Sequence, residues 1–292
     1  MRVFYDLGFK SFGIERVISA LDTYIASGVE RVSAVQDADL VILHVWGRHD
    51  HISNYAQQLL QQGKQYAVIQ YVLQSSRNPD AEDWLPLWSN AQVVWSYYDL
   101  QQSLSSSNSS FQLRNFYHAP LAADPSIFFP VPETDKIYLV GSNGNNFRAE
   151  CIGETHLATW NLKKNAVHIG KPFDANPIVT YLPDIGDDVL RTVYNQCQYF
   201  ASLRRKDGFE IPAIEAMLCG VRPIVFDTPN YRQWFDGLAI FIPEQPVKET
   251  VYNLGRVLAA APKFMSVPEM EEVKNRFDWS RIMNGFWERC HA

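Results

Sequence analysis

Long apolar runs are missing from this 292-residue chain: none approaches the ~18 uninterrupted apolar residues that a membrane-spanning helix needs. The opening residues, Met-Arg-Val-Phe-Tyr-Asp, read as a strand and not as a signal peptide, so a cytoplasmic protein is expected. Cysteine is sparse. Cys151, Cys197, Cys219 and Cys290 form no CxxC pair and no zinc-ligand spacing, which argues against a disulfide framework and for free thiols in a reducing compartment. A basic excess is missing too. At a formal net charge of −6 nothing global attracts nucleic acid, although a local basic groove is compatible with that balance. His49, Asp50 and His51 do cluster, but on a stretch that reads as a surface loop, and no metal is expected there.

What is present is apolar and aromatic. Hydrophobic residues make up 47% of the chain, enough for one large core or two modest ones. Trp46, Trp84, Trp88 and Trp95 all fall in the first hundred residues, as core or as the wall of a cleft. Strand and helix patterns alternate from the start. A strand over 1–6 and a glycine-bearing loop over 7–13 precede a helix over 14–26, whose Ile14, Val17, Ile18, Leu21 and Ile25 share one face. Asp39 to Trp46, ended by Gly47, reads as a buried parallel strand. A glutamine-rich helix over about 51–62 and strands over 66–73 and 91–96 follow, and the serine-rich stretch 101–110 reads as an exposed, mobile loop. Such alternation predicts an α/β protein with a doubly wound parallel sheet. Residues 118–136 then carry four prolines and no helical period. Beyond them a strand from Lys136 to Val140, with Gly141-Ser142-Asn143-Gly144, opens a second series.

The most informative stretch is 199–226: an apolar strand, the basic run Arg204-Arg205-Lys206, Asp207 followed by Gly208, a helix bearing Glu215, and another apolar strand. A helix opening just after Gly208 would offer its free amides and positive dipole end to an anion such as a diphosphate. Glu215 stands eight positions after Asp207, about two turns of a helix that repeats every ~3.6 residues. Carboxylates are poor partners for phosphate but accept hydrogen bonds from hydroxyls. A ligand with both phosphates and sugar hydroxyls is a nucleotide sugar.

This stretch resembles the donor-site signature of the retaining GT-B glycosyltransferases, the class of sucrose and glycogen synthases. Gly208, Phe209, Pro212, Glu215, Ala216, Met217, Cys219, Gly220, Pro223 and Ile224 match it; Asp207 stands where the family usually has Glu, and Glu210 where it usually has Gly. Pro120, Asp124, Phe128 or Phe129, and Pro130 resemble the family's interdomain segment. Asp187-Asp188-Val189-Leu190 with Tyr194-Asn195-Gln196-Cys197 resembles its helix before the donor strand, and Arg276-Phe277-Asp278-Trp279-Ser280 the start of its C-terminal helix. The resemblance implies two Rossmann-like doubly wound domains facing a central cleft, an acceptor-side domain over 1–130 and a donor-binding domain over 131–275. A last helix over 276–292 would cross back to the first.

It also implies roles. Asp207 would bind the donor sugar's hydroxyls and His44 would face the transferred sugar. Glu215 would bind ribose, with Gly208 and Phe209 beside it. Arg148, Arg204, Arg205 and Lys206 would supply positive charge for the diphosphate, and Gly8, Ser11 and Gly13 would line a loop near phosphates and acceptor. The reaction implied is retaining transfer to a hydroxyl of a glycan, lipid or small molecule, with no metal or cofactor besides the nucleotide-sugar co-substrate. Tyr231-Arg232-Gln233 replaces the family's frequent Arg-Glu and reads as structural. Two other readings stand beside it: a DNA-modifying enzyme acting on a hydroxylated base, and a non-catalytic nucleotide-sugar-binding protein.

Overall fold

Short runs of β-branched and aromatic residues separated by amphipathic stretches become parallel strands joined by helices. The computed structural model describes residues 1–7, 12–46, 49–73, 81–106, 111–146, 148–173, 176–205 and 209–291. Within them the chain divides into two units, Met1–Leu121 with Trp279–Ala292, and Ala122–Asp278. The first unit runs β1 (Arg2–Asp6), α1 (Phe12–Thr23), β2 (Glu30–Arg31), β3 (Leu40–Val45), α2 (His49–Gln61) and β4 (Gln65–Gln70). It continues through α3 (Leu85–Trp88), β5 (Val94–Ser96), α4 (Leu100–Ser106) and β6 (Phe116–His118). The second runs β7 (Tyr138–Asn143), α5 (Ile152–Asn161), β8 (Ala166–Ile169), β9 (Val179–Leu182), α6 (Asp187–Gln196) and β10 (Cys197–Ala201). Then come α7 (Ile211–Leu218), β11 (Pro223–Phe226), α8 (Pro229–Phe235), β12 (Ile240–Ile242), α9 (Val247–Ala259) and α10 (Val267–Arg276). The last helix, α11 (Trp279–His291), belongs to the first unit.

Each unit holds a six-stranded parallel sheet, ordered β2-β1-β3-β4-β5-β6 in the first and β12-β11-β10-β7-β8-β9 in the second. All six residues of β3 are buried, as a parallel strand covered on both faces requires. Helix α1 buries Ile14, Val17 and Leu21, the face that its spacing predicts, and ends at Thr23, so Ile25 lies beyond it. Trp84, Trp88 and Trp95 are core. Their indole N–H groups donate to Leu73 O, Gln70 Oε1 and Ala119 O at 3.0, 3.1 and 3.0 Å. Trp95 also meets Trp279 and Phe286 at centroid distances of 6.5 and 5.6 Å, which seats α11 in the first unit.

Three expectations about local structure need correcting. The serine-rich stretch is a helix over Leu100–Ser106, not a loop; residues 107–110 lie outside the described ones. Leu100 and Leu104, four apart, are both fully buried, and Asp99 Oδ1 accepts from Gln102 N at 2.8 Å as a cap. The serines bond back to carbonyls four residues earlier, Ser103 to Asp99 and Ser105 to Gln101, at 2.9 Å each. The strand expected over Lys136 to Val140 runs Tyr138–Asn143 and takes in Gly141. A Cβ on Gly141 would lie 2.8 Å from Cys197 Sγ and 2.9 Å from the Phe200 ring, so the close packing of β7 on β10 demands glycine there. The loop expected over 7–13 is cut short because Phe12 and Gly13 belong to α1. Among the described residues no helix is long and apolar enough to cross a membrane.

Two helical glycines should respond oppositely to alanine. At Gly255 in α9 an added methyl would meet nothing within 4 Å, so Gly255→Ala should add about 0.5–1 kcal/mol of stability by helix propensity. Gly285 in α11 would thrust a methyl to within 2.6 Å of Tyr117 Oη, which is held by its bond to Ile282 O at 2.9 Å. Overpacking of about 1–3 kcal/mol outweighs the propensity gain, so Gly285→Ala should lower the midpoint in urea or thermal unfolding. Shifts of the same sign for both would refute the packing argument.

Candidate functional site

In an open doubly wound sheet, ligands bind outside the carboxyl ends of the strands where the winding reverses. In the second unit that reversal lies between β7 and β10, and in the first between β1 and β3. The turn after β7 is built tightly. Gly144 has φ +126°, and a Cβ there would collide with the Glu150 carboxylate, so this left-handed, crowded position suits glycine alone. Glu150 Oε2 accepts from Asn146 N at 2.6 Å, and Asn146 Oδ1 accepts from Ala149 N at 3.2 Å. His168, from β8, holds the same turn. Its Nε2 meets the Gly144 carbonyl at 3.0 Å, and a carbonyl can only accept, so Nε2 carries the hydrogen; Ser142 Oγ therefore donates to Nδ1 at 3.0 Å.

The arginines after β10 face this turn. Arg204 Nη1 pairs with Glu210 Oε1 at 3.1 Å and its Nη2 with Glu150 Oε1 at 3.4 Å. Arg205 donates its backbone N–H to Ala149 O at 2.8 Å, and its guanidinium to Glu154 Oε1 at 2.9 Å and Gln245 O at 2.8 Å. The two guanidinium groups expected to face a diphosphate are thus both held by carboxylates. They differ in how firmly. Arg204 is a third exposed and pairs with one carboxylate of the turn and one at the α7 N-cap, both largely buried. Arg205 joins the turn, α5 and the segment before α9 through partners on three elements, which makes it a structural clamp. Arg148 is exposed in the turn before α5.

Between these groups, at the ends of β7 and β10, lies a cavity of about 10 Å³ bordered by Asn143, Glu150, Ser202, Arg204 and Glu210. Ser202 Oγ is buried there without a hydrogen-bond partner, and the space is that of about one water. Glu210 is the N-cap of α7, but its carboxylate turns to Arg204 and caps nothing. The helix opens at Ile211 and not directly after Gly208, with Pro212 in its first turn removing one of the free amides. Phe209 is a core residue, packed on Phe235, Phe277 and Trp234 at 5.4, 6.0 and 6.3 Å. Glu215 is 1% exposed and its Oε2 accepts from Tyr194 Oη at 2.7 Å, joining α7 to α6. Tyr231 is fully buried, and Arg232 pairs with Asp227 and Asp236, consistent with a structural segment.

In the first unit His44 stands near the carboxyl end of β3 at the winding reversal, 1% exposed, its Nδ1 2.9 Å from Tyr71 Oη. Burial pushes its pKa down to about 3, with a minor contribution from Arg31. Trp46 stacks on Tyr71 at 4.3 Å and is 36% exposed. Gly13 lies in the first turn of α1 with open space around it, so no tight turn explains it. Gly8, Ser11, Lys206, Asp207 and Gly208 lie outside the described residues, as do the side chains of His49 and Asp50; His51 is exposed on α2. Among the described residues no three His, Cys, Asp or Glu side chains gather as a metal site. Glu150, Glu154 and Tyr194 were not foreseen as partners of the predicted residues. Only the departure at Glu210 was visible in sequence.

The class that this pair of sheets defines is the GT-B glycosyltransferase fold. In structure the chain is similar to HepE of Anabaena in complex with UDP and glucose, with a TM-score of 0.72 at 12% identity over 98% of both chains. It is also similar to sucrose-phosphate synthase from Thermosynechococcus elongatus, with a TM-score of 0.70 at 16% identity over 86% of this chain and 73% of that one. At these identities the likeness is one of fold. In sequence it is 25% identical over 115 residues to a GDP-mannose:cellobiosyl-diphosphopolyprenol alpha-mannosyltransferase of Xanthomonas oryzae pv. oryzae. That match spans 35% of this chain and 28% of the relative's length. No family model matches the chain.

The Tyr194–Glu215 bond gives a direct test of the geometry. Tyr194→Phe keeps the ring and takes one donor from a buried carboxylate, at a cost of about 1–3 kcal/mol. Urea unfolding should show that loss, and a change within error would mean that Glu215 is not held by the phenol.

Proposed function

We propose that the chain is a retaining glycosyltransferase of the cytoplasm that takes a glycosyl group from a nucleoside-diphosphate sugar, the donor held by the second unit and the acceptor by the first. The observation that carries this reading is the signature segment 199–226 lying on β10, α7 and β11 of a GT-B fold, beside the winding reversal of its sheet. In the step proposed, the bond from the anomeric carbon to the diphosphate breaks while a bond to an acceptor hydroxyl forms on the same face. The acceptor's proton passes to the departing phosphate. Asp207 binds the donor sugar's hydroxyls, Glu215 the ribose, and Arg204 exchanges its carboxylate partners for phosphate oxygens. Rate then comes from positioning and from charge stabilisation of the leaving group, without a metal.

The test is turnover. Wild-type protein incubated with a panel of nucleotide sugars should hydrolyse or transfer at least one, at a rate that EDTA leaves unchanged. Asp207→Asn should lower that rate by about a hundredfold, the scale of a misplaced contact at the reacting centre, while binding of the bare nucleoside diphosphate stays within a few-fold. Binding of a donor without any turnover would instead favour a nucleotide-sugar-binding protein, a reading to which the carboxylates around both arginines lend support.

Glu210 supplies the second prediction. Its carboxylate competes for Arg204 and repels a diphosphate, so Glu210→Gln should tighten nucleoside diphosphate binding by about three- to tenfold in calorimetry, or ~0.7–1.4 kcal/mol. Weaker binding in the variant would mean that Glu210 holds Arg204 in its productive pose instead of withholding it.

A further inference from the structure

The environment of His44 is more specific than burial alone requires. Nδ1 lies 2.9 Å from Tyr71 Oη, and Nε2 is buried without a hydrogen-bond partner. Two arrangements fit that distance. If Nδ1–H donated to the phenol oxygen, the phenol hydrogen would need another acceptor, and the Nε2 lone pair would also go unmet. If the phenol donates to Nδ1, its hydrogen is satisfied and only an N–H at Nε2 is left over. Tyr71 Oη has His44 as its partner, so the hydrogen-bond count favours the second arrangement. Acid strength agrees: burial raises the phenol's pKa well above its usual value and lowers that of the imidazole, so neither group changes charge near neutrality.

Tyr71 is held to do this. Its ring lies under Trp46 at 4.3 Å and 13°, and near-parallel to the His44 ring at 15°. Its carbonyl accepts from Tyr97 Oη, and its N–H donates to Val45 O at 3.0 Å. A buried, unmatched N–H is costly, and such groups in native proteins call for a reason.

We propose that Tyr71 is a positioning residue that fixes His44 as the neutral Nε2–H tautomer, so that His44 serves as a hydrogen-bond donor to a ligand oxygen and not as a proton acceptor. The tautomer assignment stands on the first unit alone. The ligand group is an acceptor oxygen, and its identity as a hydroxyl of the transferred sugar or the acceptor rests on the glycosyltransferase reading.

Long-range ¹H–¹⁵N spectra of histidine-labelled protein decide the tautomer without any need for turnover, with the His44 signals assigned by their loss in His44→Gln. The expected result is hydrogen at Nε2 and an acceptor at Nδ1. In Tyr71→Phe, which keeps the stacked ring, the Nδ1 signal should move toward that of a free or mixed tautomer. Hydrogen on Nδ1 in the wild type, or a spectrum unchanged by Tyr71→Phe, overturns the proposal. Kinetics add a second reading. Tyr71→Phe should lower kcat about three- to tenfold, and that loss should vanish in a His44→Ala background, since one residue acts through the other. An equal loss in both backgrounds would make Tyr71 merely structural. Absence of turnover in the wild type would sink the glycosyltransferase reading while the spectra still report the tautomer.

Discussion

Reversal of winding at two pairs of parallel strands is the constraint on which everything else in this chain depends. Where β7 and β10 lie side by side, the connections leaving their carboxyl ends diverge, and the turns that follow, at Asn146 and Arg205, find partners outside the ladder. The chain meets that need with charge. Glu150 satisfies the amide of Asn146, Arg205 clamps Ala149 and Glu154, and Arg204 spans Glu150 and Glu210. The polar groups that a phosphate would need are therefore the same groups that hold the two turns together. A site of this kind is neither empty nor preformed. Its ligand must replace internal partners of similar chemistry, which makes affinity a difference between two sets of ion pairs.

That exchange asks less of one arginine than of the other, and the set of partners each would give up decides which. Arg204 would exchange two carboxylates, those of Glu150 and Glu210, for diphosphate oxygens. Arg205 would abandon a largely buried carboxylate, a carbonyl and its contact over the Phe226 ring, and Glu154 in the first turn of α5 would lose its ion pair. Several contacts on separate elements would be given up for one new phosphate contact. Two adjacent arginines, alike in sequence, thus have different work.

How much of this was legible beforehand follows from the range of each interaction. The helical face of α1 and the burial of β3 arise from neighbours a few residues apart, and periodicity displays them. The helix over Leu100–Ser106 was hidden because its serines resemble loop composition, whereas two leucines and an aspartate cap determine it. The partners of Arg204 and Arg205 were hidden for another reason: Glu150 and Glu154 stand some fifty residues earlier, and only the adjacency of β7 and β10 brings them near. Tyr194 and Tyr71 were likewise invisible as partners, since an aromatic residue in an apolar run announces core and says nothing of where its hydroxyl points.

Those two tyrosines solve one problem in the same way. Glu215 and His44 are ionisable groups almost wholly removed from water, and each receives a phenolic hydrogen bond from a neighbouring element. A charged partner would add its own desolvation cost of several kcal/mol, and a serine would leave the surrounding space unfilled. Tyrosine supplies bulk for the core and a donor at its tip. The donor also has a direction. It fills one oxygen of the carboxylate and one nitrogen of the imidazole and defines which atom of each group remains to face anything else. Burial sets whether such a group can change charge; the phenol sets which way it can bind.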